Sequence, residues 1–190
     1  MKKIIKVMGL PRSGTNAMNL IMNLNFDHYV CDMNYHWVDW LGWKHAKAPE
    51  LNALNLIEKR TGNDVCFIFM FRDFDEWEYA VVNRYSGQAS GEFTSYSFGH
   101  DGFIFNTPMG GEYYDNLYEF YQDRVNSYET FVEKNPQKSI ILNFSDLKNQ
   151  PELLEQIKKH FGLLKSNQEY VVVNKKVTFN NTLTNNKVEG

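Results

Sequence analysis

The sequence predicts an α/β fold, a three-layer sandwich in which helices cover both faces of a central parallel sheet. Two observations support this prediction. Apolar runs of strand length occur at 3–8, 64–71 and 139–144, and such runs are typical of strands buried on both faces. Segments with apolar residues at helical spacing separate these runs. Strands that alternate with helices favour a parallel sheet with crossover connections.

The composition predicts one ordinary folded domain spanning 1–190. Hydrophobic residues make up 43% and charged residues 23%, which excludes a disordered chain. The net charge of −3 argues against a protein that coats nucleic acid. No apolar run is long enough to cross a membrane. Lys6 interrupts the apolar opening, which therefore predicts a strand rather than a signal peptide, and we expect a soluble cytoplasmic protein. Cys31 and Cys66 stand alone and are expected to be buried thiols, and the alternative is a disulfide or a metal-binding pair.

The amino-terminal half alternates strands and helices. The predicted elements are a strand at 3–8, a helix at 15–25, a short strand at 28–32, a helix at 50–60, a strand at 64–71 and a helix at 74–85.

The carboxyl-terminal half begins with an irregular stretch. Residues 86–112 are rich in glycine, serine and aromatics without a clear period, and a loop of this length in a compact domain is usually functional. We expect it to form a lid over the binding site, and the alternative is that its aromatics fill the core beneath a long loop. The elements predicted after it are a helix at 113–134, a strand at 139–144, a helix from Pro151 to Gly162, a strand within 169–173 and a polar tail at 180–190.

A glycine-bearing loop, GLPRSGTN at 9–16, joins the first strand to the first helix. A helix N-terminus favours an anion, and Gly14 permits close approach of the backbone. The other polar side chains of the loop are Arg12, Ser13, Thr15 and Asn16. The glycine spacing matches the nucleotide-binding P-loop GxxxxGK[ST], but Thr15 stands in place of the lysine. We expect an anion site here, and the alternative is an ordinary connecting turn.

Arg72 is the first residue after the 64–71 strand. P-loop ATPases commonly have an acidic residue there that helps to hold Mg²⁺, whereas an arginine suits a second anionic group. The alternative is that Arg72 pairs with Asp73 or Asp75. Because ligands of such sheets sit outside the carboxyl ends of the strands, the loops that leave those ends should meet. These loops are 9–15, 72–75 and 145–148.

Three segments together resemble the sulfotransferases that use 3′-phosphoadenosine-5′-phosphosulfate (PAPS). They are GLPRSGTN, FRDFDEWEYAVVNRY and SIILNFSDLKNQPELLEQIKKHFGL. The resemblance covers most of the chain from 3 to 163. It implies a P-loop-NTPase-like sandwich, PAPS as the sulfuryl donor, its desulfated form PAP as the product, and no requirement for a metal.

The same resemblance assigns roles to residues. Arg12 would contact the bridging oxygen and the sulfuryl group, and Arg72 would bind the 3′-phosphate. The positions for the 5′-phosphate are Ser13, Gly14, Thr15 and Asn16.

The chain departs from the family pattern at several positions. Ala80 stands where the family has a serine for the 3′-phosphate, and Ser86 would replace it only with a different helix geometry. The family's adenine-stacking aromatic after the loop is absent. The nearest match to its late basic segment is the pair Lys175 and Lys176.

The segment WKHAKAP at 43–49 is similar to the family's Lys-x-His-x-Pro segment, with one residue fewer between Lys and His. His45 would be the general base and Lys44 a second cation near the sulfuryl group. An unperturbed histidine titrates near ~6.5, which suits proton transfer. His36 is the rival base. The alternative is that His45 is a surface-loop residue beside solvated lysines.

The sequence therefore predicts a sulfotransferase that moves a sulfuryl group from PAPS to an acceptor hydroxyl or amine by in-line transfer, with a histidine as base. The acceptor is expected to be a small molecule or a carbohydrate, and not nucleic acid. The sequence leaves open whether a homodimer completes the acceptor pocket. Two alternatives remain: a non-catalytic nucleotide-binding relative, favoured by Ala80, and a P-loop kinase-like phosphotransferase that would bind Mg·ATP.

Overall fold

The computed structural model describes residues 3–27, 29–30, 41–85, 96–99, 102–107 and 110–173. The strands are β1 (Lys3–Gly9), β2 (Tyr29–Val30), β3 (Asp64–Phe71), β4 (Tyr96–Gly99), β5 (Gly102–Thr107), β6 (Gly110–Tyr114) and β7 (Ser139–Asn143). The α-helices are α1 (Thr15–Asn25), α2 (Leu51–Thr61), α3 (Phe74–Tyr85), α4 (Leu117–Lys134) and α5 (Gln150–Phe161), and a short 3-10 helix spans Phe144–Lys148.

A parallel sheet carries the candidate site. Its strand order is β2-β1-β3-β7, and all three pairings are parallel. Gly9 at the end of β1 is in register with Met70, and Phe71 at the end of β3 is in register with Asn143. The carboxyl ends of β1, β3 and β7 therefore lie side by side, as the sequence predicted for the three loops that follow them.

Apolar clusters lie on the two faces of this sheet. Alternate strand residues point to opposite faces, so Ile5 packs with side chains of α1 and α5 while Ile4 packs with side chains of α2 and α4. The central strand β3 is buried on both faces, and every side chain from Val65 to Met70 is inaccessible to solvent. The prediction of an α/β fold built on a parallel sheet is confirmed.

The stretch expected to be an irregular loop contains a second sheet. Strands β4, β5 and β6 pair antiparallel, with Phe98 opposite Phe103 and Phe105 opposite Glu112. The expectation of a loop without secondary structure over 86–112 is therefore wrong for its second half, and the helix expected from 113 begins at Leu117. The residues between Tyr85 and Tyr96 lie outside the described ranges.

Capping residues set the ends of the later helices. The Asn116 side chain accepts a hydrogen bond from the Glu119 amide at the start of α4, which satisfies an amide that the helix leaves open. Gly162 ends α5 in the left-handed conformation, with φ 63°, as glycine favours at that position.

The strand expected within 169–173 does not form. The amides of Val171 and Val173 instead donate to the side chains of Asn25 and Gln150.

Cys66 is a buried free thiol, as expected, and burial raises its pKa to about 11. Cys31 lies outside the described residues. Within the described part of the chain, no helix is long and apolar enough to cross a membrane.

Candidate functional site: an anion-binding loop and its cations

The loop between β1 and α1 turns sharply against the sheet. A side chain at Gly9 would place its Cβ 2.2 Å from the carbonyl oxygen of Met70, so only glycine fits beside β3. The Ser13 amide and hydroxyl both donate to the Leu10 carbonyl, at 3.1 and 2.6 Å. Ser13 is fully buried, so its hydroxyl proton stabilises the turn and is not directed outward as a donor.

The N-terminus of α1 is open. The described residues provide no acceptor for the N–H groups of Thr15, Asn16 and Ala17, and no side chain caps the helix at Gly14. The first turn also contains no acidic residue. Amides without acceptors and the helix dipole make this end of the helix attractive to an anion.

Arg12 lies in the loop just before this helix end. Its side chain is exposed and makes no hydrogen bond or ion pair with the described residues. Its backbone has φ 68°, the one positive φ among the described non-glycine residues. A left-handed conformation at a residue with a Cβ costs about 1–2 kcal/mol and often marks a functional loop.

Arg72 lies at the neighbouring strand end and is half-buried. Its guanidinium carbon is 3.6 Å from the centroid of the Phe144 ring, and its Nε is buried without a hydrogen-bond partner among the described residues. Burial lowers the pKa of Arg72, the nearby carboxylate of Glu76 raises it, and the positive charge of Arg12 lowers it further. The two guanidinium groups are therefore close enough to repel each other.

Phe144 connects the three strand ends. Its ring supports Arg72 after β3 and fills the space beside Gly14 after β1, where a Cβ would lie 2.6 Å from Phe144 Cδ2. Asn143, at the end of β7, donates to the Asp73 carboxylate at 2.9 Å. Asp73 thus accepts a hydrogen bond from Asn143. Among the described residues no ion pair joins Arg72 to Asp73 or Asp75, so the structure does not support the alternative of such a pair.

A shallow cleft of about 440 Å³ borders Arg72 and is lined also by Asp75, Glu76 and Tyr79. Ala80 follows Tyr79 on α3 and is half-buried.

The segment 43–49 lies against the same loop. Gly9 donates its N–H to the Lys44 carbonyl at 2.9 Å, and Gly9 O lies 2.7 Å from His45 Nδ1. The Lys44 ammonium donates to Asn16 Oδ1 at 2.6 Å. Burial, and then the charge of Lys6, lower the pKa of Lys44. The structure thus brings Lys44 and His45 to the loop residues that the sequence singled out.

His45 is held as a neutral imidazole. A carbonyl oxygen can only accept, so Nδ1 carries the proton that it donates to Gly9, and Nε2 keeps its lone pair. Burial lowers the His45 pKa to about 3, and the charges of Lys44, Lys6 and Arg124 add to the lowering, although the bond to Gly9 opposes it. His36 lies outside the described residues, as do Ser86, Lys175 and Lys176.

Helix α4 supports the 43–49 segment from the other side. The Tyr128 hydroxyl donates to the Ala46 carbonyl at 2.9 Å, and the Ala48 amide donates to Ser127 Oγ. Lys47 pairs with Asp123 at 2.7 Å. Sequence reasoning had not connected α4 to His45. The only available signal was the aromatic stripe of that helix, since nothing local indicates which loop it touches.

Beneath Asp123 lies a fully buried arginine. Arg124 pairs with Glu112 on β6 at 2.7 Å and with Asp123 at 3.1 Å. The Tyr114 hydroxyl lies within 2.8 Å of both carboxylates. This network joins the antiparallel sheet, α4 and the histidine segment.

The fold and the site define a mixed α/β protein in which a glycine-bearing loop, an open helix N-terminus and several cationic side chains lie at one edge of a parallel sheet. No protein-family model, curated protein or solved structure matches the chain.

Proposed function

We propose that the chain is a PAPS-dependent sulfotransferase with a three-layer, P-loop-like architecture. It would transfer a sulfuryl group from PAPS to a hydroxyl or amine of a small-molecule or carbohydrate acceptor. The observation that carries the proposal is the pair Arg12 and Arg72, two cationic side chains on neighbouring strand-end loops beside an open helix N-terminus, neither of which has an acceptor among the described residues.

The charge pattern favours a ligand with two anionic ends. Like charges held close together are unfavourable unless an anion lies between or beside them. The open amides of α1 suit one phosphate, with Arg12 and Lys44 beside it, and Arg72 suits a second. A PAPS molecule carries a 5′-phosphosulfate at one end and a 3′-phosphate at the other, so its two anionic ends match these two groups of cations.

Sulfuryl transfer suits the residues better than phosphoryl transfer. Thr15 stands where a nucleotide-binding P-loop has its lysine, and Arg72 stands where a magnesium-binding acid is common. A sulfuryl group carries less charge than a phosphoryl group, so cationic side chains can stabilise the leaving phosphate.

In the proposed step, the acceptor oxygen or nitrogen forms a bond to sulfur as the bond from sulfur to the bridging oxygen of PAPS breaks. The acceptor proton passes to Nε2 of His45, whose Nδ1–H is held by Gly9. The electron pair of the broken bond stays on the 5′-phosphate of PAP, beside Arg12 and Lys44. The negative charges of bound PAPS favour the imidazolium and raise the His45 pKa from its unliganded value.

The antiparallel sheet is proposed as the acceptor side of the site. Its last strand is fixed to α4 by the Arg124–Glu112 pair, and α4 holds Lys47 through Asp123. This sheet therefore lies near the segment that carries His45.

Titration calorimetry with PAP tests the donor site. We expect PAP to bind, and Arg12→Ala to weaken binding by about tenfold or more, as for the loss of a charge-assisted contact. Arg60→Ala is the matched control, because Arg60 is exposed on α2. Helix α2 ends just before the amino-terminal end of β3, whereas Arg72 follows the carboxyl end of that strand. Absence of PAP binding, or equal weakening by both variants, would overturn the proposal.

A non-catalytic PAP-binding protein is the second candidate, since the low pKa of unliganded His45 and the absence of a hydroxyl at Ala80 both favour it. Labelled PAPS offered with a panel of alcohols, sugars and amines separates the two. Sulfation of any acceptor excludes the second candidate. Binding of Mg·ATP in preference to PAP would favour the kinase-like alternative.

A further inference from the structure

Trp77 on α3 reaches the anion-binding loop from a different part of the chain. Its indole Nε1–H donates to the Pro11 carbonyl at 2.8 Å. The side chain is fully buried and packs among Phe74, Phe120 and Tyr121. This packing fixes the direction of the N–H group.

The bond acts on the peptide that precedes Arg12. In a trans peptide the C=O and the following N–H point in opposite directions, so the bond to Pro11 turns the Arg12 N–H away from Trp77. On the other side, the Ser13 amide and hydroxyl hold the Leu10 carbonyl. Both carbonyls before Arg12 are thus engaged, and Arg12 is held in its left-handed conformation at φ 68°.

Trp77 also belongs to the segment that presents the second arginine. Its own amide donates to the Asp73 carbonyl at 2.9 Å, one residue beyond Arg72. The Tyr121 hydroxyl, packed against the same indole, donates to the Arg72 carbonyl at 2.9 Å. Trp77 therefore contacts the loop that carries Arg12 through its indole N–H and the backbone that follows Arg72 through its own amide.

We propose that Trp77 is a positioning residue for the donor site: its indole N–H holds the Pro11 carbonyl so that Arg12 and the open amides of α1 face the same anion. This inference rests on the proposed binding of PAP, and it assigns to Trp77 no contact with the ligand. The cost of the left-handed Arg12 backbone is offset by the contact at Pro11.

The test compares PAP affinity and thermal unfolding of five proteins: wild type, Trp77→Phe, Phe131→Leu, Arg12→Ala and the double variant Trp77→Phe/Arg12→Ala. Trp77→Phe keeps a buried ring and removes the N–H. Phe131→Leu is the control for loss of buried aromatic surface, because Phe131 on α4 packs against Phe67 and Phe69 in a different apolar cluster from Trp77. A sixth protein, with Trp77 replaced by benzothienylalanine, keeps the bicyclic shape without the N–H and serves if Trp77→Phe fails to fold.

We expect the variants without the N–H to bind PAP about five- to tenfold more weakly, as for the loss of one well-oriented hydrogen bond. Phe131→Leu should lose thermal stability and keep wild-type affinity. In the Trp77→Phe background, Arg12→Ala should weaken binding less than it does in the wild type, because a misplaced guanidinium contributes less.

Three results would overturn the inference. PAP affinity unchanged by loss of the N–H, equal loss of affinity in Phe131→Leu, or strict additivity with Arg12→Ala would each reject it while leaving PAP binding by the wild type intact. A wild-type protein that fails to bind PAP rejects the proposed function, and the role of Trp77 with it.

Discussion

The guanidinium group of Arg72 lies over the ring of Phe144, with its central carbon 3.6 Å from the ring centroid. The same ring occupies the space next to Gly14 at the start of α1. The aromatic ring thus lies between two elements from different strands to which the proposed function assigns the two phosphates. A cation over an aromatic face is stabilised by the ring electrostatics, more strongly where water is excluded.

Gly14→Ala should disturb this arrangement. The new Cβ would lie 2.6 Å from Phe144 Cδ2, on a backbone with φ 91°. Backbone strain of about 1–2 kcal/mol and overpacking of about 1–3 kcal/mol should both reduce the free energy of unfolding, and PAP affinity should fall as Arg72 moves. Urea denaturation and calorimetry measure the two effects.

Gly42→Ala is the control for strain alone, because Gly42 has φ 92° and no atom within 4 Å of an added Cβ. It should lose about 1–2 kcal/mol of stability and keep its PAP affinity. Equal stability losses in the two variants would show that Phe144 does not confine Gly14.

Arg72→Ala should change which adenosine nucleotide is preferred. If Arg72 binds the 3′-phosphate, the variant should lose about tenfold or more in affinity for PAP and little for adenosine 5′-monophosphate, which lacks that group. Calorimetry with both nucleotides measures the ratio.

Glu76→Gln should raise the affinity for PAP relative to adenosine 5′-monophosphate, since the Glu76 carboxylate acts on Arg72 and would repel a phosphate beside it. This gain in PAP affinity should shrink as salt is added, because exposed charges are screened. Equal effects of either substitution on both nucleotides would place the 3′-phosphate elsewhere.

His45 should make the unliganded protein sensitive to acid. Its folded pKa of about 3 lies below the unfolded value of 6.5, so between these values the unfolded state binds the extra proton. Stability is therefore complete above about pH 6.5 and falls as the pH drops toward 3, by at most about 1.4 kcal/mol per pH unit. His45→Gln should flatten this part of the stability profile, measured by denaturation from pH 7.5 to 4.

Loss of the His45 imidazole should reduce sulfation much more than PAP binding. His45→Ala should keep most of its PAP affinity, since the assigned ligand contacts are elsewhere, and lose sulfation by about a hundredfold or more, the usual contribution of a general base. Retained turnover would move the role of base to His36 or to another group.

Arg124→Met should be strongly destabilising. The arginine side chain is fully buried, whereas its partners Glu112 and Asp123 keep 38% and 31% of their side-chain surface. Loss of one partner of a buried ion pair costs about 3–5 kcal/mol. We expect about 2–4 kcal/mol here, because water reaches the two carboxylates. Chemical denaturation measures the loss, Arg60→Met controls for removal of a surface arginine, and a loss below 1 kcal/mol would contradict a structural role for the network.

The sequence predicted the parallel sheet well because its signal is local. The run at β3 is apolar throughout, and α5 has a proline at its start and a glycine at its end. The sequence also predicted that the loops carrying Arg12 and Arg72 meet, since parallel strands bring their carboxyl ends to one edge.

The antiparallel sheet was missed because its strands are short and interrupted by glycine. The alternation in Tyr96–Gly99 and Gly102–Thr107, with two residues between them, is the hairpin signal that was available. The low pKa of His45 was beyond sequence reasoning, because it depends on burial and on Lys6 and Arg124, which are distant in the chain. The contact of Trp77 with Pro11 likewise depends on the packing of α3.

Two hydrogen bonds join Gly9 to Lys44 and His45 and fix the backbone beside the loop. Gly9 donates to the main chain of Lys44 and accepts from His45, so the position of residue 45 is set largely by backbone geometry at the end of β1. A different proton acceptor introduced at 45, such as glutamate, would start from the same Cα location beside the loop. The end of β1 thus fixes the backbone of residue 45, and the side chain at that position can be replaced without moving the backbone.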